Sequence, residues 1–240
     1  MLSLASLISF PILTRYLPIE EYGYLSLYTT AIGLLVAMYK GGLQQSIFRY
    51  YKGDNHEIVS SALQAFLYSS FVTTVLCVAV VLIITKSADA DYAYLVIFIS
   101  LFQSLRSLIM STYASQEKSL FVNFINVIYK YGSLGLMLVF IFYYEGSAKS
   151  VLLSVLLSDV LVLFFVIAKW INIFEFTFPT KSNIQLVMLY GFPLMLAEML
   201  QMAHAFSDRF LIEYYLGIAE VASYVAPYSI SKIISDVVFG

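Results

Sequence analysis

Long apolar runs alternate with short polar breaks along the whole chain. The runs fall at about 1–14, 22–48, 58–85, 92–114, 119–144, 150–168, 184–208 and 219–240. The run Ile58–Thr85 contains no charged residue at all. Alternation of polar and apolar residues, the mark of a membrane β-strand, is absent from these segments. In lipid the backbone must satisfy its own polar groups, so each run is expected to be a helix. The pattern predicts an all-α, polytopic transmembrane helix bundle of about eight spans. Most breaks are short, which makes successive helices antiparallel neighbours. The exception is 169–183, with Pro179 and polar Thr180–Asn183. It divides the chain into a first six-helix lobe (1–170), a cytoplasmic linker (171–183) and the first two helices of an incomplete second lobe (184–240).

Composition explains why no soluble alternative fits. Charged residues make up 12% of the 240 residues and hydrophobic residues 61%, against about 25% charged in a soluble domain. Mean hydropathy is +0.86. A net charge of −2 leaves no basic footprint for nucleic acid. Cys77 stands alone in an apolar run, and His56 and His204 are far apart, so neither a disulfide framework nor a metal motif is expected. Met1–Thr14 is shorter than the roughly 20 residues that cross the hydrocarbon and lacks a signal-peptide pattern. It is expected to be the end of a longer first span.

Tyr50–Tyr51, Tyr143–Tyr144 and Tyr214–Tyr215 sit at span ends, where amphipathic rings anchor in the interface. With the N-terminus cytoplasmic, that side carries Arg49, Lys52, Lys118, Lys169 and Lys181. The opposite loops carry Arg15, Lys86, Lys149 and Arg209. This is a narrow positive-inside bias.

A repeat is visible. Thr14-Arg15-Tyr16-Leu17, followed by Pro18-Ile19-Glu20-Glu21, has a counterpart in Asp208-Arg209-Phe210-Leu211, followed by Leu216-Gly217-Ile218-Ala219-Glu220. Six spans belong to the first copy, and the second copy starts at the seventh. Two lobes in repeat are a recurring transporter plan. The segment LTRYLPIEEYGYLSLYTT (Leu13–Thr30) resembles the first loop of polysaccharide-export flippases. YGFPLMLAEML (Tyr190–Leu200) with SDRFLIEYYLG (Ser207–Gly217) resembles the seventh helix that opens their second lobe. The resemblance runs through most of the chain. It points to Wzx-type flippases of O-antigen or capsule repeat units, in the multidrug/oligosaccharidyl-lipid/polysaccharide exporter superfamily. Because such proteins have 12 or 14 spans, the chain looks like an N-terminal fragment.

Candidate chemistry lies in the charges within the spans. An ionisable side chain there costs about 3 kcal/mol or more and faces protein or water. Lys40, Arg106, Lys130, Asp159 and Glu198 lie mid-span on five different helices. By helical periodicity Lys40 shares a face with Ser26, Thr29, Gly33 and Gln44, and Lys130 shares one with Asn123 and Asn126. The expected site is a cationic cavity of Arg15, Lys40, Arg106 and Lys130, with Asp159 and Glu198 available for ion coupling. Two alternatives stand beside it: the charges pair, for example Lys130 with Asp159, or they snorkel to an interface. Pairing is the favoured fate for Asp159. Pro193 in the seventh span is expected to kink it near Glu198.

The resemblance implies a flippase in the cell inner membrane, N-terminus cytoplasmic, for polyprenyl-pyrophosphate-linked oligosaccharide repeat units. It would work by alternating access, with no cofactor. Expected partners are the lipid-linked oligosaccharide, membrane lipid, and polymerase and export machinery, with no nucleic acid. A cation-coupled multidrug exporter and a lipid II flippase are the alternatives within the superfamily. An enzyme is not expected, since no loop carries a His–Asp or paired-carboxylate arrangement.

Overall fold

The structure is a computed structural model describing residues 2–51, 56–84, 90–143, 146–171 and 177–238. Within these, the side chains of 2–4, 84, 90, 232 and 236–238 are not described. Among the described residues there are nine helices and no strand. They are α1 (Leu2–Tyr16), α2 (Ile19–Lys40), α3 (Leu43–Tyr50), α4 (His56–Ile84), α5 (Ala90–Ser115), α6 (Ser119–Tyr143), α7 (Ala148–Trp170), α8 (Lys181–Leu216) and α9 (Ile218–Val238). Five of them, α4 to α8, are long and apolar enough to cross a membrane. α1, at 15 residues, is not.

The helices run up and down, and two apolar cores mark the two ends of the bundle. One core gathers Tyr39, Ile47, Val59, Phe66, Leu108, Ile125, Val166 and Val187, from α2 through α8. The other gathers Leu17 from the α1–α2 turn with Leu25, Ile32, Ile99, Met137 and Leu152 from α2, α5, α6 and α7, and part of α1 lies against it. Around both, large apolar side chains such as Phe71, Ile83, Leu120 and Phe164 face outward. A protein solvated by lipid has that surface, because hydrocarbon does not penalise it.

Polar contacts fasten each end. At the first, Trp170 Nε1 donates to Thr112 Oγ1 (3.1 Å) and Gln116 Nε2 donates to the Tyr51 hydroxyl (2.9 Å). At the other, the N-terminus of α7 is capped twice. Ser147 Oγ accepts from Ser150 N (3.3 Å), and Glu21 Oε2, from the start of α2, accepts from Ala148 N (2.6 Å). A carboxylate there satisfies an orphan N–H and complements the helix dipole. Asp91 and Lys149 pair at 2.9 Å on the exposed rim of the same end.

Two expectations need correction. The run 22–48 is not one helix. α2 stops at Lys40, Gly41 and Gly42 both take left-handed backbone (φ 55° and 68°), and α3 restarts at Leu43. The reason lies opposite: a Cβ on Gly42 would stand 1.9 Å from the carbonyl oxygen of Gly191 in α8. The break lets two backbones touch, and only glycine combines that φ with that space.

The run 184–208 is too short. α8 spans 36 residues with Pro193 inside it, about 54 Å at 1.5 Å per residue. Arg209 therefore lies within α8 and is 8% exposed, not in a loop. Taking it out of the positive-inside count leaves five basic residues against three.

Candidate functional site

α8 runs antiparallel to α2 and α3, and almost every polar or small residue along that seam meets a counterpart. Arg209 Nη1 donates to Ser26 Oγ and Thr30 Oγ1, both at 3.1 Å. About two turns along α8, the sulfur of Met202 faces Gly33 of α2. Lys40 then pairs with Glu198, Gly42 abuts Gly191, and Ser46 Oγ donates to the carbonyl of Val187 at 2.8 Å. α9 closes the far end: Gly23 of α2 lies against the Ile218 carbonyl, which a Cβ would approach to 2.4 Å. The seam joins the expected first lobe to the expected start of the second.

Lys40 and Glu198 are 12% and 19% exposed, so neither charge is well hydrated and each neutralises the other. Glu198 Oε2 is buried with no hydrogen-bond partner. Gln201 and His204 are exposed, and the Asp208 carboxylate is taken by the Tyr224 hydroxyl. These three polar residues of α8 therefore do not join the Lys40–Glu198 pair.

Arg106 makes the second arrangement. Its Nε donates to Asp159 Oδ1 at 3.0 Å, with Asp159 fully buried and Arg106 13% exposed. Tyr129 donates to the other carboxylate oxygen at 3.3 Å, and its ring lies under the guanidinium carbon at 3.9 Å. Burial is tolerable because the charges cancel and both oxygens are bonded. Arg106 also lines a cavity of about 270 Å³, together with polar Gln44, Ser107, Ser111 and Asn126 and apolar Phe48, Met110 and Val122. Gln44 Oε1 accepts from Ser107 Oγ at 3.0 Å. Asp159 therefore pairs with Arg106 and not with Lys130.

Lys130 makes the third. It lines a separate cavity of about 210 Å³ between α1, α6 and α7, with Ser6, Ser9, Ser133 and Ser154. It has no ion pair among the described residues. Arg15 is exposed at the end of α1, apart from the other three cations, and Glu21 is committed to the α7 cap. The expected single cavity of Arg15, Lys40, Arg106 and Lys130 is thus distributed over several places. Among the described residues no group of three His, Cys, Asp or Glu side chains is placed to hold a metal ion.

Sequence reasoning missed Arg209. Its phenyl neighbours Phe206 (4.5 Å) and Tyr228 (5.7 Å) complete its surroundings. The signal was the repeat itself: Arg15 and Arg209 occupy matching positions, yet one is exposed and the other is locked across the seam.

The family model for "Polysaccharide biosynthesis protein" matches residues 1–240. The chain belongs to this family. No curated protein and no solved structure matches it. The chain is thus a membrane-type helical bundle of a polysaccharide biosynthesis family, as the first-loop and seventh-helix motifs led one to expect.

Proposed function

We propose that the protein is a flippase that carries polyprenyl-pyrophosphate-linked oligosaccharide units across the inner membrane, for O-antigen, capsule or exopolysaccharide synthesis. The observation that supports this best is Arg106. Its Nε is held by a buried carboxylate and its plane by Tyr129, and it lines a cavity with Gln44, Ser107, Ser111 and Asn126. A guanidinium fixed this way is suited to a pyrophosphate, which it can grip through paired N–H···O bonds. Asp159 acts here as the positioning partner of Arg106 rather than as an ion-coupling site.

Transport follows from the seam. The head group occupies the polar interior while the polyprenyl tail stays in lipid, and the lobes rock about a fixed site. Contacts between α2–α3 and α8 must then exchange, Lys40–Glu198 among them. No bond is made or broken in the substrate, so the reading is of a transporter and not an enzyme.

One observation favours the cation-coupled exporter as a second reading. Glu198 has an unpartnered carboxylate oxygen. Close by, Gly41 and Met38 line an apolar groove of about 320 Å³ that also holds Tyr68, Met188, Phe192 and Met195.

The test is binding. A polyprenyl-pyrophosphate oligosaccharide should be retained by the wild-type protein in native mass spectrometry. Arg106→Gln should weaken retention at least tenfold and Arg106→Lys much less. Equal retention by wild type and Arg106→Gln would sink the assignment of Arg106.

A further inference from the structure

Lys130 is the anomaly among the charged residues inside the bundle. Lys40 has Glu198, Arg106 has Asp159, and the Arg209 guanidinium donates to Ser26 and Thr30. Among the described residues Lys130 has no carboxylate partner and no hydrogen bond from its ammonium, and none of the residues lining its cavity is acidic. A lysine within a span and without a counter-ion is costly. A ligand that brings a negative charge removes that cost.

The cavity wall narrows the chemistry of that ligand. Ser9 Oγ donates to Ser6 O (3.2 Å), Ser133 Oγ to Lys130 O (2.9 Å) and Ser154 Oγ to Val151 O (2.6 Å). Each hydroxyl proton is committed to its own helix, which leaves the oxygen lone pairs as acceptors. The pocket thus offers one compact cation and a ring of acceptors. Pyrophosphate is all acceptor and does not match that ring. A sugar with a carboxylate matches both parts: the carboxylate meets Lys130 and the sugar hydroxyls donate to the serines. The volume, about 210 Å³, is on the scale of one pyranose and not of an oligosaccharide. Leu13, Met137, Val151 and Val155 supply apolar wall for the ring's C–H face.

We infer that the α1–α6–α7 cavity is a glycan-selecting pocket for an acidic sugar residue, a hexuronate in chemical class, with Lys130 as its carboxylate partner. It is distinct from the Arg106 cavity. The inference rests on the flippase reading only for its biological use, since sugar binding is measurable without transport.

The experiment has two arms on the full-length protein, the first in lipid nanodiscs and the second in closed liposomes. In the first, glucuronate, glucose and inorganic pyrophosphate are titrated and the melting temperature is followed. Glucuronate should raise it for wild type and Lys130→Arg, and glucose should do so far less. Lys130→Gln should lose the glucuronate shift. Ser133→Val, which keeps the charge and fills the pocket, should lose it too. The pyrophosphate shift should survive Lys130→Gln, because it belongs elsewhere. A glucuronate shift unchanged in Lys130→Gln and Ser133→Val would overturn the proposal, and so would a pyrophosphate shift lost specifically in Lys130→Gln.

In the second arm, flipping of a uronate-containing lipid-linked oligosaccharide is compared with that of its carboxyl-reduced form. The acidic-to-neutral ratio should fall at least tenfold in Lys130→Gln, and an unchanged ratio would overturn the proposal. Failure of wild type to flip either substrate would count against the flippase reading, while the sugar-binding arm would still decide the pocket.

Discussion

Removing Arg106 should harm the fold more than removing Asp159, although the two form one ion pair. The asymmetry comes from burial. Asp159 is fully buried and Arg106 is 13% exposed at a polar cavity. Arg106→Leu strands a buried carboxylate left with only neutral partners, Tyr129 at 3.3 Å and Gln103. Asp159→Leu strands a guanidinium that keeps the Tyr129 face at 3.9 Å and an opening to water. Breaking a buried pair from one side costs about 3–5 kcal/mol. Arg106→Leu should sit at the upper end of that range and Asp159→Leu at the lower. Replacing both by leucine should bring stability back to within about 1 kcal/mol of wild type, because an apolar pair has no desolvation penalty. The coupling energy these values imply is about 7 kcal/mol, well above the roughly 0.5–3 kcal/mol usual for residues in contact. Reversible unfolding in mixed detergent micelles, read by tryptophan fluorescence from Trp170, measures all four corners of the cycle. Additive losses, or a larger loss for Asp159→Leu, would refute the reasoning.

Four further outcomes follow from other contacts. Gly42→Ala should prevent stable folding or cost more than about 3 kcal/mol as an overpacked backbone contact, since its Cβ would lie 1.9 Å from the Gly191 carbonyl oxygen at φ 68°. Gly132→Ala, with nothing within 4 Å, should leave the thermal melt unchanged or slightly raised. Glu21→Ala should lower stability by about 1 kcal/mol through loss of the α7 cap, and hydrogen exchange should show the loss confined to the first turn of α7. Reversing Lys40 and Glu198 singly should reduce transport several-fold by placing like charges across the seam, and the double reversal should restore most of it; no recovery would remove the pair from the seam's working contacts.

Much of the fold was legible because lipid makes the pattern simple. Apolar runs had to be helices, and the ends of α4 to α7 fall within two residues of where charge clusters placed them. What sequence did not reveal depends on contacts between distant helices. Gly41-Gly42 reads like a flexible step in a long span. It becomes a helix break only because Gly191 arrives opposite it. Arg209 reads as a loop residue because it follows a polar Ser-Asp step. It becomes a buried cross-seam donor because α8 continues for another two turns and Ser26 and Thr30 wait on α2. Apart from Arg209, the charged residues inside the bundle were found by type and depth, but their partners were not. Lys40–Glu198 and Arg106–Asp159 are separated by 158 and 53 positions, and no local spacing encodes such pairings. The four serines around Lys130 come from three helices and form a pocket only in three dimensions.

The central claim is translocation, and it is tested most directly by purified full-length protein in liposomes with a fluorescent polyprenyl-pyrophosphate oligosaccharide in one leaflet. Time-resolved quenching of the probe from outside reports how fast it crosses. Wild type should move the probe well above the protein-free rate, with Arg106→Gln at least tenfold slower and Arg106→Lys between the two. Folded wild-type protein that leaves every pyrophosphate-linked glycan at the protein-free rate would contradict the account, as would an Arg106→Gln variant that flips as fast as wild type.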